Sequence, residues 1–284
     1  MMASEIRELI NIPIGSWVES GVEWVRSTLA GPLDGFAAGV GFVADGLEAT
    51  LLFLPDYVLA PLLVALTWNR VGWRFGLFAA LALFTVIGIG LWEETMQTLA
   101  LVIGASLIAL AAGFPLGITM ARRDSVAMIV RPILDFMQTM PPFVYLIPAA
   151  IFFGLGKVPG TIATVIFAMP PAVRLTNLGI RQVSQEKVEA GLAFGCTCRQ
   201  LLYKVQIPLA LPSIMAGVNQ TIMLALSMVV IASMIGAGGL GNTVLTGIQR
   251  LDIGLGFEGG LAVVILAILL DRLTQSFGLR RRKE

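Results

Sequence analysis

Side chains that commonly catalyse reactions or bind metals are scarce in this sequence. None of its 284 residues is a histidine, and its only cysteines, Cys196 and Cys198, form a C-x-C pair. Two thiols alone make a poor metal site, because zinc normally takes four nitrogen or sulfur ligands. The sequence also lacks the G-x-x-x-x-G-K-S/T loop that binds nucleotide phosphates. We therefore expect no catalytic residues, metal or cofactor in this chain, and its net charge of +1 does not indicate a nucleic-acid partner.

One polar segment, residues 179–210, differs from its apolar surroundings. It contains two glycines, Gly191 and Gly195, among charged and amide residues, namely Glu186, Lys187, Glu189, Arg199, Gln200 and Lys204. Glycine readily adopts the backbone conformations of tight turns, so this composition predicts two short helices separated by a glycine turn. We place Glu189 near a helix start, where the helix dipole favours a carboxylate. Such a hairpin can fit a groove on a partner protein and transmit its movement.

The rest of the sequence is dominated by long apolar runs. Hydrophobic residues make up 57% and charged residues 13% of the chain, which is about half the charge of an ordinary soluble domain. A bilayer core is spanned by a helix of about 20 apolar residues, whereas the strands of membrane barrels alternate apolar and polar residues. The continuous runs predict an all-α polytopic membrane protein with about seven transmembrane helices, at 47–68, 73–91, 95–121, 132–154, 160–178, 211–235 and 259–278.

The distribution of positive charge predicts how these helices are oriented. With the C-terminus inside, most of the 19 lysines and arginines fall on the inner side, as the positive-inside rule expects. The exceptions are Arg7, Arg26, Lys157 and Arg250. Seven spans then place the N-terminus outside. Residues 1–46 form an N-terminal segment whose amphipathic stretch, 17–29, either lies in the outer interface or packs on the other spans.

Prolines are concentrated in the fourth and fifth predicted spans: Pro132, Pro141, Pro142, Pro148, Pro159, Pro170 and Pro171. An interior proline leaves a backbone carbonyl without its helical partner and kinks the helix. In lipid, that carbonyl must find a partner in protein or in a water-lined cavity, so these spans indicate a translocation path. We expect Asp135 to pair with Arg131, four residues earlier, as an anchor at the membrane interface. Asp271 and Arg272 are interpreted in the same way.

The polar segment contains a motif with a known family resemblance. Glu189-Ala190-Gly191, Gly195 and Val205-x-Ile207-Pro208 resemble the EAA-x3-G-x9-I-x-L-P motif of binding-protein-dependent ABC importer permeases. The departures are small or apolar exchanges that leave the spacing intact. The resemblance implies a type I ABC importer permease fold, with a permease core at 93–284 that follows two additional transmembrane helices at 47–92. It also implies that residues 179–210 are the loop that couples the chain to a cytoplasmic ATPase, through Glu189, Ala190, Gly191 and Gly195.

Longer strings resemble one branch of these permeases. Residues 98–123 look like the first span of the core, while 134–160 and 219–241 look like the subfamily that imports glycine betaine, proline betaine, choline and related osmolytes. The resemblance implies a homodimer in the lipid of the bacterial inner membrane. It further implies two copies of an ATPase, which hold ATP and Mg, and a solute-binding protein that is periplasmic or lipid-anchored.

A quaternary ammonium solute is attracted to aromatic faces, and the fourth span is rich in aromatic side chains. Phe143 and Tyr145 are therefore candidates for the translocation path. The resemblance implies that the high-affinity aromatic site lies in the binding protein, so we expect a polar, weakly binding path here and assign it to Gln138, Thr139, Met140 and Pro141. Asn219, Thr221, Ser227 and Ser233 on the sixth span are possible facing groups. Three other interpretations stay open. The chain could be an ABC permease for another small solute such as an amino acid, an ion-coupled secondary carrier with intramembrane carboxylates, or a scaffold whose loop binds no ATPase.

Overall fold

The computed structural model describes residues 13–278, and all regular elements in that range are helices, as predicted. They are α1 (Ile14–Thr28), α2 (Ala30–Phe53), α3 (Asp56–Arg70), α4 (Trp73–Gly88), α5 (Trp92–Arg122), α6 (Asp124–Thr139), α7 (Pro142–Phe153), α8 (Lys157–Arg181), α9 (Gln185–Ala193), α10 (Cys198–Leu201), α11 (Ile207–Ser233), α12 (Leu240–Arg250) and α13 (Ile253–Gly278). A π-helical stretch, Leu202–Gln206, joins α10 to α11. The basic C-terminal residues 280–283 lie outside the described range.

Several of these helices are long and apolar enough to cross a membrane. Five pass by length and composition: α2, α5, α8, α13 and the continuous run from α10 through α11; α6 and α7 together add a sixth. Helices α3 and α4 have 15 and 16 residues, which at 1.5 Å per residue gives about 22–24 Å. A bilayer core is about 30 Å thick, so these two helices need local thinning or snorkelling side chains at their ends.

The predicted first span, 47–68, is wrong as a single helix. Helix α2 ends at Phe53 and α3 begins at Asp56, with Pro55 between them. The residue before a proline is pushed towards extended conformations, and Leu54 has φ −86° and ψ 125°. A helix therefore cannot continue through this point. The predicted spans at 73–91, 95–121, 160–178, 211–235 and 259–278 each overlap one observed helix, whereas 132–154 is divided into α6 and α7.

Helix α8 occupies the centre of the bundle and packs most extensively against α11 and α5. Small residues allow these close approaches. A Cβ added to Gly117 of α5 would lie 2.7 Å from the carbonyl oxygen of Val173, and one added to Gly217 of α11 would lie 3.2 Å from Leu175 Cβ. The prolines within α8 do not end the helix, which runs unbroken through Pro170 and Pro171.

Helix α2 packs against α5, α8 and α7, and most extensively against α5. The Phe36 ring lies 6.4 Å from that of Phe153, and Glu48 Oε2 accepts a hydrogen bond from Lys157 Nζ at 2.6 Å. These contacts are far apart on α2 but close together around the α7–α8 turn. Helix α2 also approaches α5 near Gly104. Helix α2 therefore contacts both α5 and the turn between α7 and α8.

Candidate functional site

The polar segment folds into a helical hairpin, residues 185–201, made of α9 and α10. Helix α9 ends in a turn centred on Gly195, which has φ +77°. The Cys196 N–H donates to the Gly191 carbonyl at 3.1 Å and the Gly195 N–H to the Leu192 carbonyl at 2.9 Å. This is the Schellman pattern, which commonly has glycine at its left-handed position. The predicted glycine turn and the short first helix are confirmed, whereas the second helix is not short, because α10 continues without a break into α11.

The two arms of the hairpin are held together by packing and by a cap. A Cβ on buried Gly191 would lie 2.8 Å from Leu201 Cδ1, so this position leaves little space for a larger side chain. Thr197 Oγ1 accepts from the Gln200 N–H at 3.3 Å, and the Thr197 N–H donates to Gln200 Oε1 at 2.8 Å. This capping box was missed in the sequence, although the Thr-x-x-Gln spacing is its signature.

The outer face of the hairpin is accessible in the single chain. Glu189 and Ala190 are exposed, and the Phe194 side chain at the turn is 90% exposed. The expectation that Glu189 lies near a helix start is wrong, since α9 begins at Gln185 and the acidic residue of its first turn is Glu186. An exposed phenylalanine at the turn of this hairpin suits a protein contact, because burial of the ring would stabilise that contact.

Helices α6 and α7 meet in a bend of 101°, which we call the elbow. Pro141 has no N–H, so the carbonyl of Met137, four residues earlier, cannot receive its helical hydrogen bond. The Tyr145 hydroxyl donates to that carbonyl instead. The Tyr145 ring is 6% exposed and belongs to a cluster that includes Met228 of α11. The elbow is thus a sharper break than the kink predicted for this span, and a tyrosine satisfies the carbonyl that the proline releases.

The structure distributes the eight predicted path residues over two environments. Gln138, Thr139 and Pro141 are exposed at the elbow, Met140 is half-buried there, and Phe143 is 53% exposed on α7. Tyr145 points into the protein. Ser227 of α11 is exposed and its hydroxyl donates to the Met223 carbonyl. The adjacent Met228 is instead buried and packs in the same cluster as Met140 and Tyr145. The elbow and this part of α11 therefore lie side by side.

Asn219 faces a different neighbour. Its Nδ2 donates to Asp271 Oδ1 on α13 at 2.9 Å, and the same oxygen accepts from Gln275 Nε2 at 2.8 Å. Asp271 is therefore held by two amides on α11 and α13, whereas Arg272 is exposed. Thr221 and Ser233 are both buried in the single chain. These three α11 residues lie away from the exposed surface that carries Ser227.

Two ion pairs fix α6 against α8. Asp135 accepts from Arg174 Nη2, so the predicted pairing of Asp135 with Arg131 is wrong: the partner comes from a neighbouring helix. Arg181 Nη2 binds Asp124 Oδ1 at 2.7 Å and the Met120 carbonyl at 2.7 Å. The second contact satisfies a carbonyl in the last turn of α5, which has no partner within its own helix. The two ion pairs thereby attach α6 to the central helix α8.

Residues 13–278 hold no group of three or more histidine, cysteine or acidic side chains placed to bind a metal ion. Cys196 and Cys198 are free thiols beside the hairpin turn. The candidate functional site therefore consists of two parts. One is the exposed hairpin, which continues into the long helix α11. The other is the elbow, which packs against α11 and carries polar and aromatic side chains.

Comparison with known proteins identifies similar chains. Residues 113–283 match the family described as binding-protein-dependent transport system inner membrane component. The chain is 50% identical over 267 residues to the glycine betaine/proline betaine transport system permease protein ProW of Escherichia coli (strain K12), covering 94% of this chain and 75% of that protein. It is 50% identical over 277 residues to the glycine betaine/carnitine transport permease protein GbuB of Listeria monocytogenes serotype 1/2a (strain 10403S), covering 96% and 98%.

A solved structure shares the fold. The inward-facing MetNI methionine ABC transporter matches with a TM-score of 0.59 and 22% identity, over 67% of this chain and 96% of the other. At that identity the likeness extends to the arrangement of helices alone, which is the type I ABC permease fold expected from the motif at Glu189–Pro208.

Proposed function

Because this chain belongs to the family of binding-protein-dependent transport system inner membrane components, we propose that it is the permease subunit of an ATP-driven importer. Its proposed solute is glycine betaine, choline or a related quaternary ammonium or methylamine osmolyte, the class that the names of its relatives share. ATP hydrolysis then occurs in two copies of a separate cytoplasmic ATPase, which hold ATP and Mg. The observation that carries the proposal is the exposed hairpin of residues 185–201 with Glu189 on its outer face.

The hairpin is connected so that its movement reaches the membrane. Residues Cys198–Ser233 form one continuous helical run of 36 residues from α10 through α11. Helix α11 packs along α8 and contributes Met228 to the cluster at the elbow. A displacement of the hairpin by a closing ATPase would therefore rotate or translate α11 as a unit. Rigid-body movement of this kind is the usual basis of alternating access.

The orientation follows from which residues share one end of the bundle. Arg181, just before the hairpin, binds the last turn of α5, while Arg70, the last residue of α3, lies over the Phe277 ring of α13 at 4.5 Å. Lys157 lies at the opposite end of α8 and binds Glu48 of α2. By the positive-inside rule, we propose that the hairpin and the C-terminus are in the cytoplasm and the N-terminus is outside.

The translocation path is proposed to form between two copies of the chain. Large apolar side chains on α6 and α7 are uncovered in the single chain, with Phe136 65%, Phe143 53% and Ile147 62% exposed. A second copy packed on this face would cover them and enclose Gln138, Thr139, Met140, Pro141 and Ser227. We assign Tyr145 the task of holding the elbow, and Asn219 that of joining α11 to α13. A separate solute-binding protein, periplasmic or lipid-anchored, would deliver the solute.

Reversal of one charge on the hairpin tests the coupling. The chain is co-purified with its ATPase, reconstituted with the binding protein, and assayed for ATP hydrolysis and glycine betaine uptake. Glu189→Arg is expected to lower both by at least about tenfold, because reversing a charge at a protein contact costs several kcal/mol. Glu258→Arg is the matched control, since Glu258 is an exposed carboxylate on α13, outside the hairpin.

The outcomes separate coupling from solute identity. If no ATPase co-purifies, or if Glu189→Arg and Glu258→Arg behave alike, the coupling role of the hairpin is refuted. If wild-type proteoliposomes import an amino acid and neither glycine betaine nor choline, the permease assignment stands and the proposed solute class is wrong. Uptake driven by an ion gradient without ATP would replace the importer with a secondary carrier.

A further inference from the structure

An open depression of about 510 Å³ lies between α4 and α13, near the ends that carry their arginines. Its lining side chains combine four apolar residues with two arginines. The apolar ones are Val71, Phe75, Phe78 and Ile268; the arginines are Arg74 and Arg272. The Phe75 and Phe78 rings lie 5.6 Å apart. The depression therefore offers positive charge beside an aromatic and aliphatic wall.

The two arginines have no carboxylate partner within the described range 13–278. The salt bridges there belong to Lys157, Arg174 and Arg181. Asp271, the neighbour of Arg272 in sequence, is engaged by the Asn219 and Gln275 amides. Arg74 and Arg272 are both exposed, so their charges remain uncompensated by the protein.

A third arginine and two tryptophans lie at the same end. The guanidinium of Arg70 is 4.5 Å from the centre of the Phe277 ring, and that of Arg74 is 5.5 Å from the centre of the Trp73 ring. Trp68 and Trp73 are 52% and 58% exposed. Tryptophans in membrane proteins are enriched at the level of the lipid headgroups, so this end of α3 and α4 marks the interface where phosphates lie.

The groove on the other face of α4 provides a contrast. It encloses about 740 Å³ between α3 and α4 and is lined by residues such as Pro61, Val64 and Phe84, with no arginine or lysine. Its lining also includes Asp56 and Tyr57, so it offers no positive charge to an anionic headgroup. The depression at Arg74 and Arg272 adds two unpaired cations to a similar apolar wall, and that combination matches a molecule with an anionic head and a hydrocarbon tail.

We propose that this depression binds one anionic phospholipid, with its phosphate on the Arg74 and Arg272 guanidinium groups and an acyl chain against Phe75, Phe78 and Ile268. Guanidinium groups bind phosphate oxygens in a bidentate manner, and basic pockets between transmembrane helices recognise anionic headgroups. A free phosphate would leave the apolar wall unused. Assignment to the inner leaflet rests on the proposed orientation, whereas lipid binding itself does not depend on transport.

Lipid titration of the purified full-length chain tests the site. Delipidated protein is titrated with phosphatidylglycerol or zwitterionic phosphatidylcholine, and bound lipid is counted by native mass spectrometry. Wild type is expected to prefer phosphatidylglycerol, and the double variant Arg74→Gln/Arg272→Gln to lose about 30-fold in phosphatidylglycerol affinity, which is roughly 2 kcal/mol for two interfacial arginines. Phosphatidylcholine affinity should stay the same. Arg122→Gln, an exposed arginine elsewhere, is the matched control and should behave as wild type.

A second variant separates the pocket from its charge. Ile268→Trp keeps both arginines but fills part of the apolar wall, so it is expected to weaken binding of both lipids. Equal affinity of the wild type for the two lipids would overturn the proposal. Three other results would also overturn it. The first is an unchanged phosphatidylglycerol affinity in the double variant. The second is an equal loss of this affinity in Arg122→Gln, and the third is an unchanged affinity in Ile268→Trp. Inorganic phosphate that displaces phosphatidylglycerol at an equal concentration would also overturn the proposal, because the apolar wall would then add nothing to binding.

Discussion

Removal of the Tyr145 hydroxyl tests whether the elbow between α6 and α7 depends on one hydrogen bond. Pro141 deprives the Met137 carbonyl of its helical partner, and the Tyr145 hydroxyl donates to it. Tyr145→Phe deletes that donor and keeps the ring, which packs edge-on against Phe167 with centroids 6.1 Å apart. Since Tyr145 is only 6% exposed, water cannot easily replace the lost donor.

The expected cost follows from two bounds. Leaving a buried acceptor unpaired costs about 1–3 kcal/mol in proteins generally. Hydrogen bonds between transmembrane helices average about 0.6 kcal/mol and reach about 1.7, because the unfolded chain in the membrane also finds partners. The carbonyl at Met137 is released by a proline and so has no helical alternative in the folded state. We therefore expect Tyr145→Phe to lower the free energy of unfolding by about 1 kcal/mol.

The measurement is unfolding of the purified chain by SDS titration, followed by tryptophan fluorescence, together with limited proteolysis at residues 139–142. Tyr57→Phe is the matched control, because Tyr57 is 75% exposed on α3 and loses the same atom. Tyr145→Phe should unfold at lower SDS and be cut faster at the elbow. If the two variants unfold together and are cut at the same rate, the hydroxyl does not hold the elbow and the reasoning is refuted.

Two further substitutions probe the hairpin and the base of α6. Gly195→Ala should lower the free energy of unfolding by about 1–2 kcal/mol, because φ is +77° there and a Cβ is disfavoured in left-handed backbone. Gly46→Ala is the control and should not destabilise the chain, because Gly46 lies in open space on α2. Equal unfolding curves for the two variants would contradict this reasoning. Arg181→Gln should lower the free energy of unfolding by about 1 kcal/mol more than Asp124→Asn does, since it also removes the hydrogen bond to the Met120 carbonyl. If thermal unfolding shows equal losses, the whole effect belongs to the exposed ion pair.

Sequence reasoning predicted the hairpin well and its details less well. The turn at Gly195 was predictable because left-handed backbone favours glycine, a property of one residue. Helix ends are harder, since they depend on which caps form, and α9 begins at Gln185, which places Glu189 within the helix and away from its start. The capping box of Thr197 and Gln200 was visible in the spacing and was missed.

The positions at which helices break could also be predicted in part from the prolines of the sequence. Pro141 indicated a disturbed fourth span, and the structure has a bend of 101° there. Yet Pro170 and Pro171 carried the same signal and lie inside an unbroken α8. A proline removes a donor at its own position in every case; whether the helix continues depends on the packing around it, and α8 is enclosed by α5 and α11 on both sides.

The sequence by itself determined the helical class, the apolar runs, the glycine turn and the family motif, because these depend on residue types and on spacing along the chain. Only the tertiary structure decided that Asp135 pairs with Arg174, that Asn219 joins Asp271 and that α2 contacts Phe153 and Lys157. It alone brought Arg74 and Arg272 to one depression. The reason is physical: a long-range contact exists only when two helices come to lie side by side, and that choice is made by the packing of the whole bundle.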